Sequence, residues 1–347
     1  MIQSPRERAN EPMRKQVNWP VIGHELAVEL LQRALATGQL SHAYLLSGPP
    51  QVGKTTLARA CAQALLCTDA EPPCGECSGC RKVQKGIHPD LRIIAPRTSS
   101  LLIDQVRELR RQAALTPVEA SHKVFILRRI EQATAPAANA LLKTLEEPPA
   151  HVVIFLTLTQ GEQTLATVAS RCQQIALRPL PTAQVAQALR ERWHAPPERA
   201  ELLARLSQGR LGWAGTMLDD DVSWEQRANR LADLLALRNQ GRVERMRYAE
   251  LLGRKKPDVA RNVLHLWSSW WRDLLLLQYA CPEQVANIDH MDTLRNEARQ
   301  YDAQQSRAFL GTLAKTARYL QWNVNRRLAL ELLLLRLPRP AQSVDIT

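Results

Sequence analysis

The sequence predicts an α/β protein whose first half is a parallel sheet covered by helices and whose second half is all helix. Three observations carry that reading. Short apolar runs alternate with helix-spaced segments over the first 180 residues. Such runs almost vanish after Arg178-Pro179-Leu180-Pro181. A strand, a glycine turn and a helix meet near Gly48 to Thr55.

The elements follow in order. Residues 43–47 are an apolar run ending in a Gly/Pro turn, and 55–66 continue with helical spacing. Residues 91–95 read as a strand. Ile103, Val106, Leu109 and Ala113 share one face of a helix over 103–114. Runs 124–127 and 152–156 read as buried strands, with a helix over 137–145 between them. Beyond 181, segments 182–194, 197–207 and 223–238 read as short amphipathic helices. From about 241 the pattern is helical throughout, ending at 328–337 before Pro338. Trp267, Trp270, Trp271, Leu274 and Leu275 lie on one helical face, the spacing of a bundle core, with a partner interface as the alternative.

Composition narrows the class. The chain has 347 residues, 45% hydrophobic and 23% charged, an ordinary globular mix. Lys and Arg total 46 against 34 for Asp and Glu, a net charge of +12. That excess favours acidic partners such as nucleic acid. No run approaches the ~20 apolar residues of a membrane-spanning helix, so no membrane partner is expected. Residues 1–18 lack the apolar core of a secretory signal and read as a basic tail, with Met13 an alternative start. The expected location is cytoplasmic.

Gly48-Pro49-Pro50-Gln51-Val52-Gly53-Lys54-Thr55 fits the phosphate-loop pattern G-x-x-x-x-G-K-[ST]. Gly48 and Gly53 let the backbone wrap a phosphate, and the next helix offers its N-terminal amides. Lys54 would reach the phosphates of ATP or ADP, and Thr55, followed by Thr56, supplies the hydroxyl that meets Mg²⁺. The alternative is a loop that keeps its shape without binding nucleotide.

Four of the seven cysteines crowd together as Cys67, Cys74, Cys77 and Cys80. Four thiolates close a tetrahedral Zn²⁺ site with no open position, so such a metal would be structural. An iron–sulfur cluster is the alternative. Cys61, Cys172 and Cys281 read as ordinary thiols.

Several further motifs come in a familiar order. They are Gly23-His24, Ser41-His42-Ala43-Tyr44-Leu45, the phosphate loop, the four cysteines and His88-Pro89-Asp90. Asn139-Ala140-Leu141-Leu142-Lys143-Thr144-Leu145-Glu146-Glu147-Pro148-Pro149 and Ser170-Arg171-Cys172 follow. Asn323-Val324-Asn325-Arg326-Arg327-Leu328 comes last. Together these resemble the bacterial DNA polymerase III clamp-loader subunits of the AAA+ class. The resemblance is dense over 21–180 and faint near the C-terminus.

The resemblance implies a RecA-like nucleotide module with a zinc knuckle over 19–180, a helical lid over 181–240 and a helical collar over 241–347. It implies a heteropentamer with gamma/tau and delta subunits that uses ATP to load a sliding clamp onto primed DNA. It also implies that Arg171 is an arginine finger, reaching a neighbour's ATP in trans. ATP-hydrolysing members end the strand before the Asn-Ala-Leu-Leu-Lys helix in an Asp-Glu pair. Here Arg128-Arg129 follow that strand, and arginine neither binds Mg²⁺ nor acts as a base. Glu131 is expected to fall off the strand end. Gly212 stands where active members carry a phosphate-sensing arginine, with Arg210 nearby. The threonine sensor falls near Leu158 or Thr159.

These departures point to a non-hydrolysing or weakly hydrolysing subunit. One alternative is an active gamma/tau-type ATPase. Another is a non-motor DNA-binding protein on the same fold, though no base-reading motif is present. DNA contact would run through phosphates, with Arg107, Arg110 and Arg111 as candidates, or these residues form a solvated basic face.

Overall fold

The computed structural model describes residues 19–69, 71–97, 100–159, 166–320 and 324–340. The basic tail 1–18 and Asn323 lie outside the described residues. The chain divides into two compact units. One comprises Met1–Leu180 with Arg210–Gly212, the other Pro181–Gly209 with Trp213–Thr347.

In the first unit, α1 (Glu25–Ala36) leads into β1 (Ala43–Gly48) and α2 (Lys54–Leu65). Then come α3 (Ser78–Lys85), β2 (Leu91–Ile94), α4 (Ile103–Ala113), β3 (Lys123–Leu127) and α5 (Ala135–Glu146). β4 (Val152–Thr159), the one-turn α6 (Ala166–Ala169) and β5 (Gln173–Ala176) complete it. The strands form one parallel sheet in the order β2-β3-β4-β1-β5.

Helices cover both sheet faces, which is why the inner strands read as unbroken apolar runs. Successive side chains still alternate between faces. Tyr44, Leu46, Val124, Ile126, Val153 and Phe155 pack with Leu31 of α1 and Leu57 and Cys61 of α2. Ala43, Leu45, Phe125, Leu127, Ile154 and Leu156 pack with Val106 and Leu109 of α4 and Leu141 and Leu145 of α5. Tyr44 pairs with Phe155 across β1 and β4, and their rings stack with centroids 5.3 Å apart.

His88-Pro89-Asp90 is a structural clamp at the start of β2. The buried Asp90 carboxylate accepts the amides of Val118 at 2.7 Å, Glu119 at 2.8 Å and Ala120 at 3.0 Å. Burial opposes its charge, but these three donors bring its pKa below the usual carboxylate value.

The second unit contains α7 (Thr182–Trp193), α8 (Pro197–Ser207), most of α9 (Leu211–Met217), α10 (Asp221–Asn239), α11 (Arg242–Arg254) and α12 (Pro257–Gln278). α13 (Met291–Ala298), α14 (Ala303–Tyr319) and α15 (Arg326–Leu335) follow. Trp267, Trp270, Trp271 and Leu274 of α12 are buried in one core. Leu231 and Leu234 of α10, Phe309 and Leu313 of α14, and Leu330 and Leu333 of α15 share that core. The tryptophan stripe is therefore packing. Trp271 lies 4.9 Å from Tyr301 and 4.8 Å from Phe309 between ring centroids.

Arg245 of α11 is also buried, and it closes this core. Its guanidinium donates to the carbonyls of Leu237 (2.9 Å), Arg238 (2.9 Å), Leu334 (3.2 Å) and Leu337 (2.9 Å). It thereby satisfies carbonyls at the C-terminal ends of α10 and α15, which helix geometry leaves without partners. No helix among the described residues is long and apolar enough to cross a membrane.

Candidate functional site

The phosphate loop lies between β1 and α2 at the C-terminal edge of the sheet, where strand order places β1 between β4 and β5. Such a crevice is the usual ligand position in an open parallel sheet. Gly48 has φ 147, and a Cβ there would sit 2.4 Å from the Leu177 carbonyl oxygen, so only glycine fits. Gly53 begins α2 without a side-chain cap, leaving the first-turn amides of Lys54, Thr55 and Thr56 available to an anion. His24 Nε2 lies 2.9 Å from the Val52 carbonyl oxygen and braces the loop from α1.

Lys54 is buried, and its ammonium donates to the loop carbonyls of Gly48 at 2.6 Å and Pro49 at 2.7 Å. Burial lowers its pKa to about 8, with the charge of Glu131 pulling the other way.

Glu131 lies off the end of β3, as expected, yet it still contacts the sheet. Arg128 and Arg129 are exposed beyond β3. Arg129 takes the left-handed conformation, φ 54, and a 3-10 turn follows over Ile130–Gln132. That turn brings Glu131 back to the sheet edge. Its carboxylate accepts Thr159 Oγ1–H at 2.9 Å and the Thr159 amide at 3.4 Å. Thr159 pairs with Gly48 across β1 and β4, so the acid stands one strand from the loop. Thr159 therefore occupies the strand end, and Leu158 is buried.

Gly212 donates its amide to the Gln51 carbonyl at 3.0 Å, within the first unit. A Cβ at 212 would meet that oxygen at 2.8 Å. This backbone approach leaves no room for a side chain pointing at the loop.

The four cysteine sulfurs converge within 4.8 Å of one another. Sγ separations are 3.6 Å for Cys67–Cys74, 3.8 Å for Cys67–Cys77 and 3.9 Å for Cys74–Cys80. Sulfurs each ~2.3 Å from a central ion lie ~3.8 Å apart in a tetrahedron, so the set fits one metal. Backbone amides donate to three of the four sulfurs, while burial pushes the Cys67 and Cys80 thiols up. Cys74 N–H reaches Cys67 Sγ at 3.5 Å, and Cys77 and Cys80 N–H reach Cys74 and Cys77 Sγ at 3.3 Å. Cys77 caps α3. Burial opposes its ionisation, but amide donors, Cys80 foremost, bring its pKa to about 6. Cys61 is buried among aliphatic residues of the sheet core, and burial pushes its pKa far up.

Arg171 lies on the turn between α6 and β5. Its Nη1 donates to the Thr167 carbonyl at 2.9 Å and to Ser170 Oγ at 3.2 Å. Its Nη2 pairs with Glu146 Oε1 at 2.6 Å. The DNA candidates on α4 are exposed. Arg107 and Arg111 pair with Asp104 and Glu108 of their own helix, at 3.4 and 2.5 Å.

The structure thus brings Gly48, Gly53, Lys54, Thr55 and Thr56 into one turn and the four cysteines into another. It adds contacts for Glu131, expected only to fall off the strand end, and for Glu146, met in the sequence only as part of a motif. Parallel pairing of β1 with β4 would have located Thr159. Nothing in the residues signals a left-handed arginine at 129.

A parallel sheet with β1 between β4 and β5, a phosphate loop at its edge and a helical second unit define an AAA+ module with a helical C-terminal domain. Two family models match in tandem. "DNA polymerase III, delta subunit" covers residues 23–181, and "DNA polymerase III, delta subunit, C terminal" covers 222–339. The chain belongs to this family of clamp-loader subunits.

Among its relatives, the delta' subunit of DNA polymerase III from Bacillus subtilis is 28% identical over 313 residues. That match covers 89% of this chain and 94% of the relative. The tau subunit from B. subtilis is 26% identical, covering 91% of this chain and 60% of the relative. The tau subunit from Escherichia coli is 34% identical, covering 58% and 32%. The chain therefore spans about a third to three-fifths of the length of the tau relatives.

Proposed function

We propose that this chain is a delta-prime-type clamp-loader subunit, a stationary partner that activates a neighbour's ATP rather than turning over its own. Arg171 would stabilise charge developing on the phosphoryl group in the neighbour's site. The phosphate loop would hold ATP or ADP through Lys54, Thr55 and the first-turn amides, as a structural ligand. The Cys67, Cys74, Cys77 and Cys80 set would hold one structural Zn²⁺. Residues 181–240 would act as lid and 241–347 as collar, joining gamma/tau and delta subunits in a heteropentamer. The assembly would load a sliding clamp onto primed DNA in the cytoplasm, touching DNA through phosphates.

The observation that carries this reading is the pair Arg128-Arg129 at the end of β3. By the family resemblance, these two exposed cations follow the strand where hydrolysing members carry a metal-holding acid and a water-orienting acid. Gly212 against Gln51 supports it from the other side of the loop.

The test is steady-state ATP hydrolysis. The purified chain, with Mg²⁺, primed DNA and clamp, should stay at background. In the reassembled loader, Arg171→Ala should cut turnover far more than Lys54→Ala does. The reverse order would overturn the stationary reading.

One observation favours a second reading. Glu131, held by Thr159 beside the loop, is a carboxylate in the site of an otherwise acid-poor ATPase. Robust turnover by the isolated chain, lost in Lys54→Ala and in Glu131→Gln, would assign it that role.

A further inference from the structure

Arg171 is not a loose surface side chain. Its backbone is anchored, with its amide on the Val168 carbonyl at 3.2 Å and that of Cys172 on Ala169 at 3.3 Å. Cys172 packs against the sheet core. The guanidinium then meets three protein groups. Thr167 and Ser170 are local, and both take Nη1. Glu146 is the distant one and pairs with Nη2. The Nε–H has no protein partner among the described residues. A long cation that must reach an anion on another chain normally loses rotamer freedom at that moment. Here two local hydrogen bonds and the ion pair already restrict that freedom.

Lys143 stands one turn before Glu146 on α5, but the helix end itself disfavours a carboxylate. Glu146 is the last residue of α5, and a carboxylate at a helix C-terminus opposes the helix dipole. Glu147 follows at the C-cap, so two carboxylates crowd that end. What Glu146 does have is the Arg171 guanidinium at 2.6 Å.

We propose that Glu146 is the positioning residue of Arg171, fixing the guanidinium on the α6–β5 turn so that its free donors face an anion supplied by a neighbouring subunit. The inference rests on the finger reading of Arg171. Glu146 itself touches no phosphate and no reacting atom. Its work is done before the anion arrives, so its loss lowers the fraction of loaders whose finger is correctly placed. It acts on turnover rather than on ATP affinity, because the neighbour's own loop holds the nucleotide.

The experiment is ATP hydrolysis by the loader reassembled with its own partner subunits. The chain would carry Glu146→Ala, Glu146→Asp, Arg171→Ala, or Glu146→Ala with Arg171→Ala. Glu146→Ala should lower kcat about five- to tenfold with KM for ATP unchanged, a loss typical of a misplaced group. Glu146→Asp should recover part of it. The double variant should be no worse than Arg171→Ala alone, because Glu146 then has nothing to position. Thermal melting of the chain should be unchanged in Glu146→Ala.

Wild-type kcat in Glu146→Ala, beside a clear loss in Arg171→Ala, overturns the proposal and leaves the finger intact. The same fractional loss in both backgrounds, or a lowered melting temperature, makes Glu146 merely structural and also overturns it. An inert Arg171→Ala removes the finger reading itself.

Discussion

Asp90 gathers three successive amides with one carboxylate, and its environment makes that contribution depend on pH. Its folded pKa lies below its ordinary value, so the stabilisation is present above about pH 4. It is lost as pH falls through the depressed folded value. Asp90→Asn turns one acceptor into a donor facing amides. It should cost about 2 kcal/mol at pH 7. In urea titrations, the gap between variant and wild type should close towards pH 3 or below. At the same scale, the functional residues divide by how local their signal is. Gly48, Gly53, Lys54 and the four cysteines were legible because their chemistry is a spacing along the chain. Glu131 and Glu146 were not, because their roles are contacts to Thr159 and Arg171, remote in sequence and set by a turn and a helix end.

Elements were legible in proportion to their burial. β1, β3 and β4 are nearly continuous buried runs and read directly from the residues. β5 has only Ile175 buried among its four residues, so it carries no apolar pattern. It is recruited by β1 through backbone pairing, from Tyr44 opposite Gln173 to Ser47 opposite Ala176. The cysteine element makes a prediction at this scale. Purified gently, the chain should hold about one zinc, as four ligands at one closed site require. Chelation or Cys80→Ser should unfold the 67–80 segment, read as new protease cleavage there. Metal analysis finding none would sink the assignment. α9 makes another. Gly212→Arg should destabilise the chain rather than restore a phosphate sensor, because the backbone at 212 already touches Gln51. Enhanced ATP hydrolysis in that variant would show that the approach is not fixed.

Over the whole molecule, the change near Pro181 from alternating strands to helices alone was legible as a loss of β-branched runs. How the later helices share a core was not. α10 contributes Leu231, Leu234 and Leu237 to the core of α12, α14 and α15, a grouping no periodicity reveals. Arg245 ties that grouping together. Arg245→Met should lower the stability of the second unit by about 3 kcal/mol, because buried carbonyls on two helices lose their donor at once. Thermal unfolding followed by tryptophan fluorescence would show it, since Trp267, Trp270 and Trp271 share this core.

The same cation bears on how the protein is made. Leu334 and Leu337 follow Arg245 by 89 and 92 residues. During synthesis those acceptors leave the ribosome seconds after the arginine does, at the usual ~5–20 residues per second. Every strand of the sheet precedes Leu177, so the first unit can settle while the second is still emerging. The second unit cannot seal until its last helix arrives, and until then Arg245 needs water for the partners α15 will later supply.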